Sequence, residues 1–406
     1  MRRETRYLFV FIGLFVFMLG AVLALNLLLG ERGLGSAQAV REASAWQQAT
    51  RGVTFPPPVT QARAFKAHRW ADQQAEVNTL VLGASSLMGV TQAMFPADQR
   101  LYNFSLTANA TPVVAAEAEY FEQHAPQIRH VIIGLDWAIG MIYLADAVPA
   151  MDLSPAATLA GFGAAAVPWT QKWADALSAP KVKGLVAALR GALQSAQPLA
   201  NLRQTFFELA SADYRCANGV PARDYDVMSR GQCLGFRHDG SWTFAGEAHL
   251  TEARAQMLAR AAAAPSAKFS KYLCSTGGEP NAAVLRRLGS FALRFTAGGG
   301  NVVFMLTPLV PGMEQEMLKV DASRRCLERT KFALDAWARV HGVTVIDAGA
   351  SENFGCVASE FLDENHAWPE CHARILARYQ RDFGRGNGGH TARAGLYRPA
   401  LGGRRP

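Results

Sequence analysis

Thr79-Leu80-Val81-Leu82-Gly83-Ala84-Ser85-Ser86 is the stretch whose reading decides the fold. A short apolar run that stops at Gly-Ala-Ser-Ser reads as a buried strand delivering a tight turn. Working outward, the pattern returns. Arg100 to Phe104 reads as a second short strand, a helix follows from near Thr111-Pro112 through Phe121, and Val131-Ile132-Ile133-Gly134-Leu135-Asp136 is a third strand. Strands alternating with helices predict a parallel sheet covered on both faces, a three-layer, doubly wound α/β fold.

The alternation lapses between about 138 and 280, where the chain is Ala-rich and helical in pattern, and this reads as a long insertion. Within it, Asp239-Gly240-Ser241-Trp242 reads as a turn into a short strand. The sheet pattern resumes with a helix from Asn281 to Thr296 and the strand Asn301-Val302-Val303-Phe304-Met305-Leu306. Between them, Gly298-Gly299-Gly300 is followed by no Gly-Lys-Ser/Thr, so it ends a helix and is not a phosphate loop. One long helix from about Pro311 to His341 is predicted next, then a fifth strand, Val343 to Ile346. A last helix runs from near His366 to Phe383.

Tyr7 to Leu29 is apolar and uncharged, and 23 residues at helical rise span a hydrocarbon core of about 30 Å. Basic residues precede it, so residues 1–6 stay in the cytoplasm, 7–29 form a transmembrane anchor and the rest is exported. A cleaved signal peptide, cut near Ala37-Gln38-Ala39, is the rival reading, although this apolar region exceeds the usual length of about 7–15 residues. Residues 30–74, with Pro56-Pro57-Pro58, read as a polar stalk. Residues 75–383 form the α/β domain, and the Gly/Arg tail 384–406 reads as disordered.

The formal charge of +8 is concentrated at the two ends. The N-terminal six residues hold +2 and the tail +5, which leaves the body near neutral. Such a body lacks the basic face that a phosphate backbone needs, which argues against nucleic acid as a partner. Six cysteines all follow the span: Cys216, Cys233, Cys274, Cys326, Cys356 and Cys371. In an oxidising compartment near neighbours pair most cheaply, Cys216 with Cys233 and Cys356 with Cys371, leaving Cys274 with Cys326. Zinc held by Cys356, Cys371 and His372 is the alternative, but no CxxC pair supports it and no metal is expected.

Reactive side chains belong at the carboxyl ends of the strands of an open α/β sheet. Ser85 stands there, beside a helix N-terminus whose N–H groups can hold developing negative charge. The bland reading is that Ser85 and Ser86 only cap that helix. Asp363-Glu364-Asn365-His366, before the last helix, offers a base with an acid three residues away, which is what a serine needs to become a nucleophile. Alone, a DxxH is more often a solvent-exposed turn or a cap.

The order and spacing of these two blocks resemble the SGNH (GDSL-like) hydrolase superfamily, over roughly Asn78 to Asp136 and Asn281 to Phe383. The resemblance implies a five-stranded sheet of flavodoxin-like order, with Ser85 as nucleophile and Asp363 and His366 completing a triad. Asn103-Phe104-Ser105-Leu106-Thr107-Ala108-Asn109 looks like the second block, with Ala108 where the family has an oxyanion-donating glycine. Asn103 lies near the site in the same block. In the third block Asp136 of Gly134-Leu135-Asp136-Trp137 replaces an oxyanion-donating asparagine. An ionised carboxylate only accepts hydrogen bonds, which weakens the case for simple hydrolysis.

Anchored, exported chains with such blocks are similar to the accessory proteins of teichoic-acid D-alanylation and of alginate or cellulose O-acetylation. That branch implies a single-pass protein of the bacterial inner membrane with its catalytic domain in the periplasm. It implies an esterase or O-acyltransferase acting on a cell-envelope polymer or other acylated substrate, beside a membrane-bound O-acyltransferase, with no cofactor. The alternative is a catalytically inactive scaffold of the same shape. Trp137 and Trp368 flank the site as candidates for contact with a sugar ring, with core packing as the competing role. Gly13 and Gly20 share a face of the span, too weak a signal for dimerisation.

Overall fold

The computed structural model describes residues 3–29, 36–53, 62–137, 150–161, 235–243, 269–383 apart from 272, 394–399, and scattered residues between 186 and 199. Most of the expected insertion, with Cys216 and Cys233, lies outside these. Strand β1 is Thr79–Leu82, β2 Leu101–Asn103 and β3 His130–Leu135. Two short strands, β4 (Gly235–Phe236) and β5 (Trp242–Thr243), form a separate antiparallel hairpin turned by Asp239 and Gly240. Strands β6 (Asn301–Leu306), β7 (Thr344–Asp347) and β8 (Gly395–Tyr397) complete a parallel sheet in the order β2-β1-β3-β6-β7-β8.

The sheet has six strands, one more than the five-stranded order predicted from sequence. Strand β8 comes from the tail that reads as disordered: Thr344 pairs with Gly395 and Ile346 with Tyr397. Arg398, the residue after it, lies 2.8 Å from Asp347 Oδ2, so part of the basic tail is spent on a buried acid at the end of β7. Three residues with two apolar side chains give no periodic signal, which is why the strand is invisible in the sequence.

In β1 every residue is buried, and in β3 all but His130. Successive side chains point to opposite faces, so burial of consecutive residues means that both faces are covered. Helices α4 (Thr111–His124), α6 (Ala282–Ala297) and α8 (Asp321–His341) pack in a row, α4 on α6 and α6 on α8. Asn281 caps α6, its side chain accepting from Ala283 and Val284 N–H at 2.9 and 3.1 Å. The helix predicted over 311–341 divides into α7 (Met313–Leu318) and α8, because Val320 is extended between them. The last helix, α9, spans Pro369–Phe383 and starts after His366 instead of at it.

Helix α1 (Arg3–Leu29) includes Tyr7–Ala24, which is long and apolar enough to cross a membrane and has none of that segment buried. The stalk reading of 30–74 is overturned where residues are described. Helices α2 (Ser36–Thr50) and α3 (Ala62–Gln73) pack on each other, and Val40, Ala43, Phe65 and Trp70 join the main core. Ala37-Gln38-Ala39 lies in the first turns of α2. Trp70 meets Tyr102 of β2 and Phe121 of α4 at 5.8 and 5.0 Å between ring centres. Burying a side chain of this size removes roughly 1.5–3 kcal/mol of apolar surface cost from water. The polar face of α3, which made the segment look solvated, points instead into hydrogen bonds within the domain. Helix α5 (Pro155–Gly161), from the insertion, packs on α3.

Candidate active site

Ser85 opens a 3₁₀ turn, Ser85–Leu87, at the carboxyl end of β1. Two glycines let that turn sit down on the sheet. A Cβ on Gly134 of β3 would lie 2.6 Å from Leu87 Cδ1, and one on Gly83 would lie 3.1 Å from the same atom. Leu87 therefore fills the space that two side chains would occupy, and the turn has one place to rest. Ser86 is fully buried and its Oγ donates to Asp136 Oδ2 at 2.8 Å. Ser85 is part-exposed. Neither serine side chain caps the turn, so the bland reading of this pair does not describe it.

The second half of the site is a closed loop. Leu362 N donates to His366 O at 2.9 Å and Trp368 N to Glu360 O at 2.7 Å, so the chain returns on itself around Asp363-Glu364-Asn365. Val310 N, just past β6, donates to Glu364 O at 2.9 Å and ties the loop to the sheet mouth. Asp363 Oδ1 accepts from Asn365 N and His366 N at 3.1 and 3.0 Å. The same carboxylate meets His366 Nδ1 at 2.7 Å through Oδ2. The DxxH spacing thus lets one acid both shape the turn and orient the imidazole. His366 Nε2 then lies 2.8 Å from Ser85 Oγ.

Burial pushes the His366 imidazole down, but the hydrogen bond to Asp363 and the charges of Asp363, Asp136 and Glu364 outweigh it and raise its pKa above 6.5. Burial pushes Asp363 up, but the hydrogen bond and charge of His366 and the two backbone N–H groups hold it below the usual carboxylate range. The pair is therefore set up to carry a proton on the imidazole.

Of the residues expected near an oxyanion, Ala108 has φ 54°, in the left-handed region that favours glycine. Its neighbours tie it to the Ser85 turn: Leu106 N and Asn109 Nδ2 both donate to Gly83 O, at 3.0 and 3.2 Å. Asn103 has a different job. Its Nδ2 donates to Leu87 O and Val90 O at 2.8 and 2.9 Å, and its Oδ1 accepts from Ser105 N at 2.9 Å. It fastens the 3₁₀ turn to the loop after β2. Asp136 is buried beside Ser86, as an acceptor.

Both tryptophans are only 2% exposed, which removes them as sugar-contact surfaces. Trp137 Nε1 donates to Thr307 O at 2.8 Å across the ends of β3 and β6. Cys356 is joined to Cys371, and Cys274 to Cys326. Among the described residues the one cluster with metal-ligand potential is Cys356, Glu360 and Cys371. Its sulfurs are spent on each other, so the zinc alternative loses its thiolates. His372 is fully buried with the backbone of Ser86 and Ala367 beside it, and burial pushes its pKa down to about 4.

Sequence reasoning missed Arg63, Lys66 and Glu117, which surround the loop carrying Ala108. A lysine and an arginine on a polar-looking helix give no signal of burial in a single sequence. Compared with known proteins, the chain matches no family model, no curated protein and no solved structure.

Proposed function

We propose that the chain is a membrane-anchored, exported serine esterase or O-acyltransferase of the SGNH kind, acting on acyl esters of a cell-envelope polysaccharide or similar polymer. The observation that carries this reading is the continuous relay from Asp363 through His366 to Ser85, with 2.7 and 2.8 Å steps. The two disulfides among the described residues fit an oxidising compartment such as the periplasm, and α1 fits a single-pass anchor in the inner membrane.

In this mechanism His366 Nε2 takes the Ser85 Oγ proton as Oγ attacks the ester carbonyl carbon. The carbonyl oxygen becomes an oxyanion and is held by the backbone N–H groups of Ser85 and Ala108. His366 returns the proton to the leaving alkoxide as the C–O bond breaks, leaving acyl-Ser85. Water or a sugar hydroxyl then attacks the acyl carbon, gives its proton to His366, and releases Ser85 with the proton restored to Oγ. Asp363 holds the Nδ1–H tautomer throughout. A membrane-bound O-acyltransferase is the partner that would supply or receive the acyl group.

The buried carboxylate of Asp136 favours a second reading, an inactive scaffold of the same shape, because it offers charge where a donor is needed. Labelling of the purified protein with a fluorophosphonate, comparing wild type with Ser85→Ala and Ser86→Ala, separates the two. Labelling lost only in Ser85→Ala supports the enzyme; a folded, unlabelled wild type supports the scaffold.

A further inference from the structure

We propose that Arg63 and Lys66 of α3 are positioning residues for the loop 103–109, which makes the segment between anchor and sheet a working part of the active site. The proposal rests on the reading of Ser85 as a nucleophile and of Ala108 N–H as an oxyanion donor.

The loop needs holding. Ala108 sits at φ 54°, a conformation unfavourable for an L-residue that persists only where its surroundings fix it. Two clamps act on the loop, one at each end, and both come from α3. At the far end, Arg63 Nη2 donates to Asn109 Oδ1 at 2.9 Å, while its Nε and Nη2 lie 3.2 and 3.1 Å from Glu117 Oε1. Glu117 of α4 is fully buried and its other oxygen accepts from Asn109 Nδ2 at 2.8 Å. Asn109 is thereby locked on both sides of its amide, in the orientation that lets Nδ2 also reach Gly83 O.

At the near end, Lys66 Nζ, fully buried, donates to Asn103 O and Ser105 O at 2.8 and 2.5 Å and lies 4.6 Å from the centre of the Phe236 ring. Burial costs the ammonium its hydration and lowers its pKa well below the usual lysine value. Two basic side chains three residues apart on one helix therefore fix the carbonyls and amide on both sides of Ala108. Since α3 lies between the membrane helix and the sheet in the chain, the oxyanion donor is aligned by the membrane-proximal segment.

The test measures, in the full-length protein in detergent, the rate constant for fluorophosphonate labelling of Ser85 per folded molecule across pH. Variants are Arg63→Gln, Arg63→Lys and Lys66→Met, with Cys274→Ala/Cys326→Ala as a destabilised control remote from the loop. Arg63→Gln and Lys66→Met are expected to lower the plateau rate about 10–100-fold, because the phosphonyl oxygen loses an aligned donor. The midpoint of the acid limb stays in place, because Asp363 and His366 are untouched, and Arg63→Lys recovers part of the loss. The control labels at the wild-type rate. If Arg63→Gln does not fold, Arg63→Gln/Glu117→Gln replaces it and leaves no unpaired buried charge. Plateau rates within about twofold of wild type in both variants overturn the proposal alone. A rate loss that comes with a shifted midpoint, or is shared by the control, also overturns it. An unlabelled wild type overturns the catalytic reading and the proposal together.

Discussion

Ser86 Oγ donates to Asp136 Oδ2 at 2.8 Å, one residue along the chain from Ser85 and wholly inside the protein. That bond holds a carboxylate whose charge helps raise the His366 pKa. In Asp136→Asn the amide oxygen can go on accepting from Ser86, while the charge is lost and an N–H donor is gained. The kcat/KM for a simple ester such as p-nitrophenyl acetate should rise about 10-fold or more. The acid limb of the same profile should move to lower pH, since one of the charges raising His366 is gone. A fall in rate with the fold intact would mean that Asp136 assists the chemistry instead of restraining it.

Under the proposed mechanism, the pH dependence of the wild type follows from His366. The base must be neutral to accept the Ser85 proton, so kcat/KM should fall as pH drops through a value above 6.5. Asp363→Asn removes the main support of that value. It should move the limb downward while cutting the rate about 10³–10⁴-fold. The stability linkage has the opposite sense. A raised histidine stabilises the fold below its unfolded pKa, and that contribution is lost as pH rises through the folded value. For Asp363, whose pKa is lowered, the contribution is present above the unfolded value and lost as pH falls. Activity and the His366 share of stability should therefore move in opposite directions across neutral pH, which denaturant melts at several pH values would show.

What the sequence discloses of this site is its local part. Gly83-Ala84-Ser85 and Asp363-x-x-His366 each act through neighbours within a few positions, so their spacing carries the geometry. The meeting of Ser85 with His366, 281 positions apart, follows once both loops are placed at the carboxyl ends of one parallel sheet. The packed helices α2 and α3, and the contact of Arg398 beside β8, were hidden for a different reason. Arg398, Lys66 and Arg63 look like solvated charges until their partners Asp347, Asn103 O and Glu117 are brought beside them by the fold. The tryptophans failed in the reverse sense: adjacency in sequence to Asp136 and to Ala367 says nothing about which way a ring turns.

Ala108 offers a test of whether the loop stores strain. Ala108→Gly keeps the backbone N–H and relieves the left-handed penalty, but gives the unfolded chain more freedom, so the two effects oppose each other. The net expectation is a gain of about 0.5–1 kcal/mol in unfolding free energy, with Ser85 labelling unchanged. Ala108→Val, branched at Cβ, should lose stability and labelling together. Equal stability of all three would mean that the loop relaxes freely and that its geometry is not imposed from outside.

The disulfide between Cys356 and Cys371 closes a loop of sequence separation 15 around Asp363 and His366. Removing a crosslink of that span costs about 3 kcal/mol in the chain-entropy account. The other described bond, Cys274 to Cys326, has a separation of 52 and ties the chain before α6 to α8, away from the site. Cys356→Ala/Cys371→Ala should therefore lose about 3 kcal/mol and also label Ser85 more slowly at temperatures where it is folded. Cys274→Ala/Cys326→Ala should lose at least as much stability and keep its labelling rate. Calorimetry and labelling of the two double variants distinguish the cases. If both slow labelling equally, the effect is general loosening; if only the first does, the crosslink holds the His366 imidazole against Ser85.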